Sequence, residues 1–177
     1  MAVTLSIADP NAMARLGAVL AAELRAGDTV LLTGELGAGK TTLTRGLGAA
    51  LGVRGAVTSP TFVLARTHPR VDGPALVHVD AYRLRDAAEL DDLDLDFARS
   101  IVVVEWGAGL LEHLVDEWLA ITIERPTGAG ATGDAREAAN DDLNGAADDA
   151  PIEPRTVTIE GVGPRWADLG WLHAARD

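Results

Sequence analysis

The chain has 177 residues, 47 % of them hydrophobic, which suffices for one domain with a real core and gives no basis for two. Its 27 acidic against 15 basic residues leave a net charge of −12, which excludes a basic nucleic-acid-binding face, so partners are expected to be proteins and any contact with RNA or DNA to run through them. The absence of cysteine removes disulfides, thiolate zinc sites and cysteine nucleophiles, and without a signal-peptide pattern or a membrane-length apolar run the expectation is a soluble cytoplasmic protein.

Residues 3–7, VTLSI, predict a short strand. Asp9 follows as N-cap and Pro10 as first helical residue, with Met13, Leu16, Leu20 and Leu24 on one helical face and Gly27 as the stop. Residues 29–51, TVLLTGELGAGKTTLTRGLGAAL, then predict a strand, a glycine loop and a helix, and contain the complete G-x-x-x-x-G-K-[ST] spacing of a phosphate-binding loop. From Gly34 through Glu35, Leu36, Gly37, Ala38 and Gly39 to Lys40, Thr41 and Thr42, backbone N–H groups can converge on phosphate oxygens that side chains would otherwise block. The helix N-terminus adds its positive dipole, Lys40 can reach the β- and γ-phosphates, and the Thr41 hydroxyl suits Mg²⁺. A chance glycine-rich turn would not need the apolar Val30, Leu31 and Leu32 before it or the stripe of Leu43, Leu47 and Leu51 after it. Lys40 is also the only lysine among the 15 basic residues, all others being arginine: a compact ammonium stands where a phosphate would be met.

Thr58, Ser59, Pro60, Thr61 and Phe62 follow the loop helix, where phosphate-loop proteins often hold a switch segment that senses the γ-phosphate through a Thr hydroxyl; an ordinary Ser-Pro turn accounts for these residues equally well. LVHVD at residues 76–80 and IVVVE at 101–105 are apolar runs that end in a carboxylate, the pattern of buried parallel strands. Strand C-terminal ends face the ligand crevice of an open α/β sheet, so Asp80 and Glu105 there can hold a Mg²⁺ water or orient an attacking one. Two such acids beside a phosphate loop outweigh the reading of surface carboxylates. His78 shares a strand face with Asp80 and reads as hydrogen-bonded structure rather than a ligand. Asp86 and Glu89 form a capping box for a short helix, and the DDLDLD run after it lacks the glycine and distal glutamate of a calcium loop and reads as a solvated face.

Residues 118–124 and 156–160 alternate in hydrophobicity and predict the two strands of an antiparallel hairpin. Residues 126–154 join them with almost no large apolar side chain, and their seven acids against Arg136 give −6, half the net charge; disorder is expected there. A C-terminal helix carrying Trp166, Leu169 and Leu172 is expected to pack on the sheet.

GELGAGKTTLTRGL, TSPTF, HVDAYRL and VVEWG, in this order and spacing, resemble the TsaE family of bacterial ATPases closely over about residues 10–111, with a further likeness at GPRW, residues 163–166. The resemblance implies a single three-layer α/β domain of the P-loop NTPase type, a mostly parallel central sheet with an antiparallel edge hairpin, Mg-ATP as ligand, and a part in making the threonylcarbamoyl group on the tRNA adenosine beside the anticodon, with the partners TsaB and TsaD. It implies that Thr41 and Glu105 hold Mg²⁺, that Asp80 assists hydrolysis, that Thr61 belongs to the switch segment and that Trp106 flanks the site. Met13 stands where many members carry Thr, and the acidic insert exceeds an ordinary hairpin connection. A small-molecule kinase is the alternative, which would need an Arg-rich lid where this chain has only an acidic insert. A GTP switch would need N-K-x-D, which a chain whose one lysine is Lys40 cannot supply.

Overall fold

The computed structural model describes residues 2–126 and 153–175. Seven strands, β1 (Ala2–Ile7), β2 (Thr29–Gly34), β3 (Ala65–His68), β4 (Leu76–Asp80), β5 (Ile101–Glu105), β6 (Trp118–Glu124) and β7 (Arg155–Val162), form one sheet in the order β1-β7-β6-β2-β5-β4-β3. The four inner strands β6, β2, β5 and β4 run parallel. Every residue of β4 and β5 is buried, which is why both read as unbroken apolar runs rather than as alternation. The predicted hairpin is present, with β7 antiparallel to β6, and β1 completes that edge by pairing antiparallel outside β7. At the far edge β3 lies antiparallel on β4.

Helices α1 (Pro10–Glu23) and α2 (Lys40–Leu51) cover one face of the sheet, burying Met13, Leu16 and Leu20 and, from α2, Leu43, Leu47 and Leu51 against Val30, Leu32, Ile101, Val103, Ile121 and Ile159. Asp9 caps α1 as expected, accepting from the Ala12 N–H at 2.7 Å. The two helices meet glycine to glycine: a Cβ on Gly17 would stand 2.4 Å from the Leu43 carbonyl oxygen, and one on Gly46 would stand 2.3 Å from that of Ala14. The opposite face carries a thinner third layer, the five-residue helix α3 (Ala87–Asp91) and the 3₁₀ turn Leu111–His113, whose Leu90 and Leu111 bury Leu31, Val77, Val79, Val102 and Val104.

Three readings change in detail. The strand β3 was not foreseen, since ARTH carries no apolar pattern. The expected C-terminal helix is instead two 3₁₀ segments, Pro164–Trp166 and Gly170–Ala175; Trp166, Leu169 and Leu172 do pack into the α1/α2 core, and their spacing of three matches the 3₁₀ period rather than 3.6. The capping box is half formed: Asp86 accepts from the Glu89 N–H, but Glu89 turns to the Arg85 N–H and guanidinium. Along the acidic run, exposed Asp92, Asp94 and Asp96 alternate with half-buried Leu93, Leu95 and Phe97, a solvated face over an apolar one. Of the predicted insert, residues 127–152 lie outside the described residues, while the strands that it joins meet with Glu124 opposite Thr156. Among the described residues no helix is long and apolar enough to cross a membrane.

Candidate functional site

Strand β2 ends at Gly34 beside β6, where a Cβ would lie 2.6 Å from the Ile123 carbonyl oxygen, so the chain can turn out of the sheet only through glycine. Gly37 (φ 74°) and Gly39 (φ 114°) take left-handed conformations that carry the loop into α2. Gly39 is the N-cap and offers no side chain, so the first N–H groups of α2 have no capping partner and present the positive end of the helix. Glu35, Leu36 and Gly37 are exposed, Ala38 is buried with its N–H donating to the Glu35 carbonyl at 3.1 Å, and Thr41 and Thr42 are half-buried on the first turn. Met13 of α1 packs beneath Gly39, its Cε 3.3 Å from where a Cβ would be.

Lys40, 6 % exposed, folds back over the loop and donates from Nζ to the carbonyls of Gly34 (2.8 Å) and Glu35 (3.0 Å), with the Trp106 ring centroid 4.2 Å away. Burial pushes its pKa below the usual lysine value, and the carboxylates of Glu105 and then Asp80 push it back up.

Those carboxylates stand side by side because the parallel register sets Asp80 opposite Glu105, and Glu105 opposite Leu32 two residues before the loop begins. Both are buried. Asp80 Oδ1 accepts the Tyr82 N–H at 3.0 Å, and Glu105 Oε1 lies 2.7 Å from Nε2 of His78, which is fully buried on the same sheet face. After Glu105 the chain turns sharply through Trp106, a left-handed residue at φ 63° whose N–H donates to the Leu32 carbonyl at 3.2 Å. That turn lays the indole between Lys40 and the edge of the exposed Tyr82 ring, 5.5 Å between centroids.

The segment that carries Thr61 is tied by two arginines. Arg83 donates to the Thr61 carbonyl and Arg66 to the Thr58 hydroxyl at 3.1 Å, while the Ser59 and Thr61 hydroxyls share a hydrogen bond of 2.7 Å. Thr61 itself is exposed, and Phe62 beside it is 89 % exposed. The geometry thus brings together the loop, Lys40, Asp80, Glu105 and Trp106, and connects Thr61 to them through Arg83, which follows Asp80 by three residues. Sequence reasoning read His78 as hydrogen-bonded structure and looked for the partner of Arg83 in an acid such as Asp86 or in another protein, not in the Thr61 carbonyl. The signal for the first was its two-residue spacing from Asp80; the second depends on a contact 22 residues apart in the chain that no local pattern announces. A row of backbone donors, an ammonium and two adjacent acids is chemically matched to a phosphate chain with its divalent cation.

The family model described as threonylcarbamoyl adenosine biosynthesis protein TsaE matches residues 7–133. The tRNA threonylcarbamoyladenosine biosynthesis protein TsaE of Streptomyces coelicolor is 54 % identical over 159 residues, covering 88 % of this chain and 94 % of that protein. The protein of the same name from Bacillus subtilis is 39 % identical over 126 residues, 69 % of this chain and 75 % of that protein. The crystal structure of Bacillus subtilis YdiB is similar with a TM-score of 0.65 and 27 % sequence identity, covering 94 % of this chain and 89 % of that one.

Proposed function

The chain belongs to the TsaE family, and from that premise we propose that it is a phosphate-loop ATPase that hydrolyses Mg-ATP in complex with TsaB-like and TsaD-like partners, in the making of N6-threonylcarbamoyladenosine beside the tRNA anticodon. The observation that supports this most is Lys40: a buried ammonium at an uncapped helix N-terminus, flanked by two buried carboxylates that the sheet register sets side by side. An ammonium held there at the cost of burial is suited to an anion, and the acids beside it to that anion's metal.

In this reading the N–H groups of the loop and of the first turn of α2, other than that of Ala38, which already donates to the Glu35 carbonyl, would bind the phosphates, Lys40 would neutralise their charge, and Thr41 with Glu105 would hold Mg²⁺. Bound Mg-ATP supplies the activated phosphoryl group. Asp80, fixed through Oδ1 by the Tyr82 N–H, has Oδ2 left to orient the attacking water and draw off its proton. Trp106 covers the ammonium, and Thr61, on the segment that Arg83 holds, would sense the γ-phosphate.

Charge that develops on the transferred phosphoryl calls for a further cation, and Arg83 is occupied with the Thr61 carbonyl. An arginine inserted by a partner is worth about 10³ to 10⁵ in rate. Single-turnover hydrolysis by the chain alone and with both partners tests this. A rise of at least about tenfold on adding the partners is expected; full activity of the chain alone, coupled to phosphorylation of a small acceptor, would make it a kinase instead.

A further inference from the structure

We propose that His78 is a positioning residue for the metal site: its imidazole holds Glu105 by one carboxylate oxygen and so leaves the other as the fixed oxygen donor for the divalent cation. The inference rests on the Mg-nucleotide reading above.

Sheet geometry carries it. Residues 78 and 80 of β4 and 103 and 105 of β5 point to the same face, and the register sets His78 opposite Val103 and Asp80 opposite Glu105. The imidazole therefore reaches diagonally across to β5, and its Nε2 ends 2.7 Å from Glu105 Oε1, with side-chain exposures of 0 % and 5 %. Among the described residues this is the one hydrogen bond to the Glu105 side chain. An ionised carboxylate only accepts, so Nε2 carries the proton and donates. Nδ1 is buried and has no partner among the described residues.

A side chain kept here only to fill the core would be apolar, as Leu76 is on the same face of β4. His78 instead bears the desolvation of Nδ1 and uses its one bond on Glu105. Asp80 is held separately, through the Tyr82 N–H. Each acid is thus fixed by one oxygen by a partner of its own, and the divalent-cation role falls to the acid whose partner is a buried side chain of the sheet. Hydrogen-bonded partners of metal-ligating groups typically govern about 10- to 100-fold in metal affinity.

The test compares His78→Gln, His78→Asn and His78→Leu with the parent by calorimetric titration of ATP at stepped Mg²⁺ concentrations and again in EDTA, with thermal melts of each. Glutamine carries its amide N–H about as far from the backbone as imidazole Nε2; the asparagine amide stands where Nδ1 is and falls short of Glu105. His78→Asn and His78→Leu are expected to need about 10-fold more Mg²⁺ or beyond for tight ATP binding, and His78→Gln about 3-fold at most, while metal-free ATP affinity moves by less than about 2-fold in all three. An unchanged Mg²⁺ requirement in a folded Asn or Leu variant overturns the inference, as does an equal loss in EDTA, which would make His78 a support of the loop as a whole. Should only the Gln variant fold, a Mg²⁺ requirement raised about 10-fold there overturns it equally. A parent that fails to bind Mg-ATP would sink the functional reading itself, a result distinct from any of these.

Discussion

The Lys40 ammonium is 6 % exposed, and burial lowers its pKa against the pull of Glu105 and Asp80. A lysine whose folded pKa lies below the unfolded 10.5 is a destabilising group at neutral pH, and the penalty fades only as pH rises through its folded pKa toward the unfolded one. Its bonds to the Gly34 and Glu35 carbonyls, worth about 1 kcal/mol each, work the other way. Lys40→Met is therefore expected to abolish Mg-ATP binding in a calorimetric titration while Tm stays within about 3 °C of the parent. A collapse in Tm would make Lys40 a structural residue. At this scale the loop was legible because a phosphate cradle dictates glycine at fixed offsets, and Gly37 and Gly39 do adopt left-handed conformations. The Trp106 contact to Lys40 was not derivable from spacing alone, since it hangs on a left-handed tryptophan that no propensity predicts.

Helix α2 carries the loop, and its position is set by α1 through Gly17 and Gly46. Gly46→Ala would place a methyl 2.3 Å from a carbonyl oxygen of the Ala14 backbone, which no rotamer relieves. The helices must part, at a cost of about 1–3 kcal/mol, or roughly 2–4 °C in Tm per kcal/mol. Because Met13 of α1 underlies Gly39, ATP affinity should fall with stability, and thermal melts with and without Mg-ATP read both effects. A Gly46→Ala protein with the parent's Tm would mean that the crossing is looser than these distances. The two helices and the parallel strands were legible from periodicity and from LVHVD and IVVVE. Strand β3 was not, because only His68 of its four residues is buried and an edge strand facing water leaves no apolar trace. The C-terminal segment misled for another reason: apolar residues at spacings of three fit both helix types, and Pro164 and Gly170 decide for short 3₁₀ turns.

For the molecule as a whole, the pairing of Glu124 with Thr156 means that β6 and β7 come together without needing a long connection. Replacing residues 127–152 by a short Gly-Asn turn is expected to leave Tm unchanged or to raise it, since closing a shorter loop lowers the entropy cost by roughly 1–2 kcal/mol. A large fall in Tm would show that the segment contributes to the core. That the two strands pair was legible from their alternation; where they sit in the sheet was not, because it follows from β6 joining β2 in parallel. This parallel pairing has a kinetic consequence. Ile123 lies opposite Gly34, so β6 ends beside the start of the loop, and the sequence that follows it, residues 126–154, carries a net charge of −6. In the proposed reading a polyanionic nucleotide approaching the loop would be repelled by that charge, a repulsion that dissolved ions screen over a Debye length of ~8–10 Å near physiological ionic strength. Added salt should therefore speed nucleotide association, the reverse of the slowing expected at a basic mouth.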